Sequence, residues 1–422
     1  MLRSLIIVTE FLALLVSGCG GSEPSSTPQA RRAISQEAKA DLEARIHRVE
    51  NGLILMSEEG EILGGRTGTM AERMAHYGVP GVSVAVIDEF QIAWAEGYGV
   101  LEAGGEEAVT ATTVFHAGSV AKPVAAAATL ALVDRGLLAL DESVNGRLLS
   151  WRIPDSEYAA TEEVTLRRLL SHSAGLSDGW TDGGIECCYA GAGAAPKVTI
   201  QQMLDAEPVT GLTTPTRVTT IPGSDYRYSN LGYGILELLL VDVTGQAIES
   251  LMQETILGPL GMTSSTFEQP LPDSLRVRAT SEHYDRAQPF PDKRHHFPTL
   301  AAGGLWTTPS DLARFVIAIM ESRAGRSNGV LSRELASEML KPQVPIPNHP
   351  ITNAEGLGLG LSGEGESFAF LQTGGTWGST CILWAYPETG QGAVVMTNAR
   401  GGQGMIRFEI LLAVAREYAW PE

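Results

Sequence analysis

The sequence predicts a mixed α/β (α+β) fold. One antiparallel sheet is built from both chain ends and flanked by helices, and a largely α-helical part is inserted between the two strand regions. Three observations predict it. Alternating apolar residues in GVSVAVIDEFQIAWAEGYGV read as a β-hairpin in the N-terminal part. Strand patterns return near the C-terminus in SFAFLQTGG and CILWAYPETGQGAVVMTN. Between them, residues 119–349 carry mostly helical periodicity, in runs such as VAAAATLALVDRGLLAL, LGYGILELLLVDVTG and SDLARFVIAIMES.

Size and composition agree with that reading. A chain of 422 residues, 44% hydrophobic and 19% charged, can bury a large core and lacks the profile of a disordered or fibrous protein. Its formal net charge of −19, with no Lys/Arg cluster to override it, repels phosphate backbones and anionic headgroups. Nucleic acid is therefore not an expected partner.

Taken in order, the elements begin with a leader. Arg3 precedes a mostly apolar run from Leu5 to Val16, too short to span a bilayer and followed by small residues, which is the layout of a secretory signal. The run closes on Val16-Ser17-Gly18-Cys19, which resembles the bacterial lipobox, whose cysteine becomes the lipidated first residue. Residues 1–18 are thus expected to be a lipoprotein signal peptide. Cys19 would carry a lipid anchor that holds the protein on the periplasmic side of a bacterial membrane, its only contact with the membrane. Residues 19–46 are expected to form a flexible tether, Gly/Ser/Pro-rich up to Ser35, although a helical pattern sets in at Gln36 and continues to Glu50.

A second helical pattern covers Ala71 to Tyr77, just before Pro80. In the hairpin, Val82, Val84 and Val86 alternate, a polar break falls at Asp88-Glu89, and Ile92 and Trp94 resume the alternation. At the other end, PETGQG supplies turn residues between two apolar runs, and a last helical pattern extends from Gly404 to Tyr418. Residues 47–118 and 350–422 are assigned to the sheet part and 119–349 to the helical part. The cleft between the two is the natural site.

Chemistry concentrates in three places. Only five lysines occur, and Lys122 lies three residues after Ser119 in FHAGSVAKPVAAAA, which puts both side chains on one helix face. Serine is a weak nucleophile and needs a neighbour to take its proton. A lysine can do so where desolvation and a helix N-terminus favour its neutral form. Pro123 fits the first turn of such a helix, and the Ser119 amide there can serve an oxyanion. Taken alone, S-x-x-K also describes a helix cap followed by a solvated lysine.

The second place is Tyr228-Ser229-Asn230, in a Pro/Gly-rich loop leading into a helix. A phenol can relay a proton, and an amide can position the lysine and a substrate carbonyl. The plainer reading is a buried tyrosine with a helix-capping asparagine. The third is Gln372-Thr373-Gly374-Gly375 at a strand edge, where glycines let a substrate approach the backbone and the Gly375 amide can complete an oxyanion hole with that of Ser119. Gln372, Thr373 and Gly374 are the candidate substrate contacts; a Gly-rich turn is the plainer alternative.

The order S-x-x-K, Y-S-N and T-G resembles the three-motif pattern of class C β-lactamases, DD-peptidases and related esterases, the β-lactamase/transpeptidase-like superfamily. Segments such as VPGVSVAVI, TLRRLLSHSAGL, LGPLGMTSSTF, AAGGLWTTPSDLARF and GAVVMTN look like blocks of that family in its own order, over roughly 70 to 400. The resemblance implies a serine hydrolase with an acyl-enzyme on Ser119, Lys122 and Tyr228 as its base system and Asn230 as a positioning group. It implies no cofactor, and a small molecule or peptide as substrate. One departure matters: family members carry Lys or His before the T-G, and this chain has Gln372. Gln offers neither a permanent charge for a substrate carboxylate nor a titratable group, which favours ester or amide hydrolysis, D-amino-acid peptides included, over β-lactam turnover.

Three readings stay open at this level. A β-lactamase or DD-peptidase would need a cation near residue 372, a role open to Arg400. A non-catalytic ligand-binding relative would keep the fold without the chemistry. In SHSAG, Ser173 falls one residue short of a G-x-S-x-G elbow and follows a helical pattern instead of a strand, so it is set aside, and His116 and His172 read as structural hydrogen bonders. Cys187, Cys188 and Cys381 make a poor disulfide framework, with at most one bridge to Cys381. No metal-ligand spacing occurs among Cys and His, the adjacent His295-His296 included, and no metal is expected.

Overall fold

The computed structural model describes residues 28–57, 60–177, 198–284, 288–290, 293–294, 296–400 and 404–421. Residues 1–18, Cys19, Cys187, Cys188 and His295 lie outside the described residues. The backbone divides into two units, residues 1–47 and 48–422.

Helix α1 (Pro28–Glu50) makes up the described part of the first unit and ends in the second. This corrects the expected tether: residues 28–46 are helical, and the helix starts well before Gln36. Proline suits a helix start because its φ is preset and no intrahelical acceptor waits for an amide there. The Ala, Arg, Gln, Lys and Glu residues that follow are strong helix formers, with no further Gly or Pro before Glu50.

In the second unit, β1 (Leu53–Met56) pairs antiparallel with β2 (Ile62–Gly68). Helix α2 (Met70–Tyr77) follows; Thr69 caps it reciprocally with Glu72, and left-handed Gly78 ends it. Next come β3 (Gly81–Asp88), β4 (Gln91–Gly99) and β5 (Phe115–His116). The helical part holds α3 (Ala121–Asp134), α4 (Leu166–Leu170), α5 (Ile200–Leu204), α6 (Asn230–Thr244), α7 (Ile248–Met252), α8 (Asp273–Arg276), the ribbon of β6 (His283–Tyr284) and β7 (Gln288–Pro289), α9 (Leu300–Gly303), β8 (Trp306–Thr307), α10 (Pro309–Arg323) and α11 (Arg333–Met339). The chain closes with β9 (Val344–Pro345), β10 (Ala354–Glu355), β11 (Gly360–Ser362), β12 (Ala369–Gly375), β13 (Thr380–Tyr386), β14 (Gln391–Thr397) and α12 (Met405–Glu417).

Eight strands form one sheet in the order β4-β3-β14-β13-β12-β11-β10-β9, with every neighbouring pair antiparallel. Both strand regions of the chain therefore meet in one sheet, as the sequence predicts, joined where Val82 faces Thr397 and Ile87 faces Gly392. The alternation in β3 suggests one buried face, yet Gly81 to Ile87 are all buried. Small Ser83 and Ala85 alternate with the valines, and helices cover both sides of the sheet centre: α10 packs on β3 and α12 on β14.

The hairpin turn lacks the usual Asn-Gly. Glu89 (φ 49°) and Phe90 (φ 63°) both take the left-handed conformation that a two-residue type I′ turn requires. Tertiary contacts hold it: the Phe90 amide donates to the Gly390 carbonyl at 2.9 Å, and the Arg326 guanidinium stands 4.0 Å over the Phe90 ring. Helices α2 and α12 are tied through buried Glu409, which accepts from Arg73 Nε at 2.8 Å, Tyr77 OH at 3.0 Å and the Met56 amide at 2.9 Å.

Candidate active site

Ser119 sits in a tight 3₁₀ turn, Gly118–Val120, that runs directly into α3. The turn presses against the end of β12 so closely that only glycine fits on either side. A Cβ on Gly118, whose φ is +54°, would lie 2.7 Å from the Gly375 nitrogen, and one on Gly374 would lie 2.0 Å from the Ala117 carbonyl oxygen. Helix α3 is buried from Ala121 to Leu132, which explains its alanine-rich sequence.

The ladder register aims the Gly375 amide. The Thr376 amide donates to the Ser379 carbonyl at 2.9 Å, and the same register places Gly374 opposite Cys381. Hydrogen-bonded pairs alternate along an antiparallel ladder, so Gly374 bonds to β13 while Gly375 turns its N–H the other way, to the side where the Ser119 turn packs. The Ser119 amide, in the first turn, has no intrahelical acceptor. Two amides thus flank the nucleophile candidate beside exposed Gly375.

Two side chains, Lys122 and Tyr228, reach the serine, and Asn230 holds the first of them. Lys122 Nζ lies 3.1 Å from Ser119 Oγ and donates to Asn230 Oδ1 at 2.8 Å and to the Ala302 carbonyl at 2.7 Å. Tyr228 OH donates to Ser119 Oγ at 2.7 Å. Lys122 is only 1% exposed, and a general base needs its amine in the neutral form. Such an amine has two N–H groups and one lone pair. With two N–H groups directed at Asn230 and Ala302, the lone pair of that form would face the serine hydroxyl, the arrangement a general base needs.

Contacts around these groups fix them in place. Ser229, not Asn230, caps α6: its Oγ accepts from the Gly232 amide at 2.8 Å, which leaves the Asn230 side chain for Lys122. His172 Nδ1 accepts from the Ser229 amide at 3.1 Å, and its ring centre lies 4.4 Å from that of Tyr228, the two planes tilted by 36°. Burial and the Lys122 charge hold this imidazole well below its ordinary range, so it stays neutral and able to accept. Helix α9, which offers the Ala302 carbonyl, is gripped at its start by Glu237 Oε2, an acceptor for the Ala301 amide at 2.8 Å. Burial pushes the Glu237 carboxyl up to about 8. Burial likewise pushes Glu355 in β10 up to about 8, against the opposing charge of Lys122.

Other candidates stand elsewhere. Gln372 is half-buried and donates to the carbonyl of its neighbour Thr373 at 3.0 Å; Thr373 is half-buried and Gly374 buried. Arg400 lies at the end of β14, exposed, with its guanidinium 5.9 Å from the ring centre of Trp377, two residues beyond Gly375. Ser173 is buried and bonded to Ser171 Oγ at 2.9 Å, away from the Lys122 group. His116 is buried, bonded to the Gly303 carbonyl at 2.9 Å and stacked on Trp306. Cys381 is buried and free, so it forms no bridge. Among the described residues no group of three His, Cys, Asp or Glu is placed to hold a metal ion. Sequence reasoning missed the Ala302 carbonyl and the acids Glu237 and Glu355. An acid inside an apolar run, as in GILELLL, was the available signal for Glu237.

With this geometry in place, comparison with known proteins gives a consistent result. The family model described as Beta-lactamase matches residues 67–415, most of the chain. The chain belongs to the beta-lactamase family. It is 31% identical over 256 residues to Penicillin-binding protein 4 of Amycolatopsis lactamdurans, covering 58% of this chain and 60% of that one. It is 31% identical over 179 residues to Esterase EstB of Burkholderia gladioli, covering 42% of this chain and 43% of the relative. The matched stretches therefore span well under two thirds of either relative. In structure, it superposes on the octameric penicillin-binding protein homologue from Pyrococcus abyssi with a TM-score of 0.68 at 24% identity, over 83% of this chain and 76% of the other, which establishes a shared fold.

Proposed function

We propose that this beta-lactamase-family protein is a serine hydrolase that cleaves ester or amide bonds through an acyl-enzyme on Ser119. The observation that carries the reading is the meeting of Lys122 and Tyr228 on Ser119 Oγ, at 3.1 and 2.7 Å, next to two amides free to receive an oxyanion. Ser119 Oγ attacks the carbonyl carbon while its proton passes to the Lys122–Tyr228 pair, and the carbonyl oxygen gains negative charge between the Ser119 and Gly375 amides. Tyr228 returns the proton to the leaving group. Water, activated by the same pair, then releases the acyl group. Asn230 and the Ala302 carbonyl keep the amine aimed.

Gln372 in the Lys or His position favours esters and amides over β-lactams, since it brings no charge. The test is intact-mass analysis after exposure to a fluorophosphonate probe, p-nitrophenyl acetate and a penicillin, with Ser119→Ala alongside. An adduct or ester turnover lost in the mutant supports the reading; equal behaviour of the two proteins rejects it. One observation favours a second substrate class. Arg400 beside Trp377 supplies a cation near the end of β12, suited to the carboxylate of a D-amino-acid peptide. Arg400→Ala should then raise KM for a D-alanyl-D-alanine peptide without changing that for p-nitrophenyl acetate.

We also propose export and lipidation at Cys19, on the support of the apolar run and the small residues before it. Metabolic labelling with a palmitate analogue, present in wild type and absent in Cys19→Ser, would support this. Labelling that persists in the mutant would reject it.

A further inference from the structure

Behind the oxyanion strand lies a cation that the proposed chemistry does not touch. Arg407, in the first turn of α12, is 6% exposed. Its Nη1 donates to the Gly374 carbonyl at 3.1 Å and to the Cys381 carbonyl, and its Nε donates to the Gly404 carbonyl at 3.0 Å. The side chain thus reaches across from the helix and rests on the β12–β13 ladder from beneath.

The Gly374 carbonyl and the Gly375 N–H are the two ends of one planar peptide unit. The carbonyl points to β13 and the N–H points to the opposite side, toward the Ser119 turn. A charged donor on the oxygen draws electron density through the amide and makes its N–H a stronger donor. In a low-dielectric interior the full positive charge also acts across this one peptide on any negative charge forming beyond it. An arginine holds the position better than a lysine would, because one nitrogen of its planar fork, Nη1, engages two carbonyls while Nε pins the start of its own helix.

We infer that Arg407 is a positioning residue that polarises the Gly374–Gly375 peptide and so sets the strength of the Gly375 oxyanion donor. The inference rests on the reading of Ser119 as nucleophile. It predicts stabilisation only when the substrate oxygen carries negative charge, and so an effect on the rate of acylation and not on ground-state binding.

The experiment is the pre-steady-state burst of p-nitrophenolate from p-nitrophenyl acetate, measured across substrate concentrations. Arg407→Met, Arg407→Gln and Arg407→Lys are compared with wild type, each checked for fold by circular dichroism and thermal midpoint. Arg407→Met should lose about tenfold to a hundredfold in the limiting acylation rate, with the half-saturating concentration unchanged, and Arg407→Lys should recover most of that loss. Should Arg407→Met fail to fold, the other two carry the test. They are of similar size and differ in charge, so the glutamine variant must be about tenfold slower than the lysine variant, and equal rates overturn the inference. Ser119→Ala separates the two layers. A burst that survives in it removes the nucleophile, and the Arg407 assignment with it. A burst lost in Ser119→Ala but unaltered in a folded Arg407→Met removes the Arg407 assignment alone.

Discussion

Replacing Gly118 by alanine tests how tightly the nucleophile turn and the oxyanion strand are coupled. Two costs add. A residue with a side chain at φ +54° loses about 1–2 kcal/mol to left-handed backbone strain. The new methyl carbon, at 2.7 Å from Gly375 N and 2.9 Å from its O, meets backbone that cannot rotate away, and such overpacking costs about 1–3 kcal/mol. Gly118→Ala should therefore lose roughly 2–5 kcal/mol of stability.

Gly136, after α3, supplies the control. Its φ is +70° and no atom lies within 4 Å of a built Cβ, so Gly136→Ala carries the backbone cost alone. In activity the two should part completely. Relief of the clash moves the Gly375 amide off its target, and loss of one oxyanion donor lowers turnover roughly a hundredfold to a thousandfold; Gly136→Ala should match wild type. Urea unfolding followed by tryptophan fluorescence gives the stabilities, and p-nitrophenyl acetate hydrolysis below the unfolding transition gives the activities. If Gly118→Ala matched Gly136→Ala in both, the close approach would have no energetic or functional weight, and the coupling argued here would be wrong.

Three more expectations can be checked with the same preparations. Burial holds the proton on Glu237 and Glu355 up to about pH 8, whereas the unfolded chain releases it near the ordinary value of 4.5. The folded state therefore binds more protons in that window, so stability should fall as pH rises, by about 1.4 kcal/mol per pH unit for each group, and level off above pH 8. Neutral His172 acts in the opposite sense only below its unfolded value of 6.5, so urea midpoints between about pH 7 and 8.5 isolate the carboxyls, and Glu355→Gln should halve the slope; an unchanged slope would count against its buried proton. His172→Phe removes the acceptor of the Ser229 amide and should cost about 1–3 kcal/mol in thermal unfolding; a smaller loss would mean that water replaces the imidazole. Burial pushes the Cys381 thiol up to about 12, so peptide mapping after iodoacetamide treatment should find Cys381 modified only in denaturant; labelling of the folded protein would show that β13 opens.

The motifs legible in the sequence are those whose side chains sit at fixed offsets. Ser119 and Lys122 lie a helical turn apart, and Tyr228 and Asn230 flank a cap, so local geometry alone aims each pair. The sheet was legible because its central strands are apolar and the turn between β13 and β14 carries Gly and Pro. What escaped has a different physical character. The Ala302 carbonyl is backbone, which every residue possesses. Glu355 and Arg407 are ionisable residues in apolar surroundings, EGLGLGL and IRFEILL, where a periodic pattern assigns them to a solvated face. The Glu89-Phe90 turn carries no glycine because distant Gly390 and Arg326 hold it, and no local rule contains them. The early start of α1 was hidden by the Gly, Ser and Pro residues just before it, which lowered the apparent helical signal of the whole stretch.

The pairing of β3 with β14 has a consequence for the order of assembly. Ile87 is made long before its partner Gly392, with the entire helical part between them. Until that segment is available, β3 is a mostly apolar ribbon with one unpaired side, and β12, which carries the Gly375 amide, has not yet reached the Ser119 turn. A growing chain thus already displays the serine and lysine motif yet cannot use it, and long-range closure of this kind is slow. Completion of the candidate site waits for these strands, and β3 is open to self-association until they arrive.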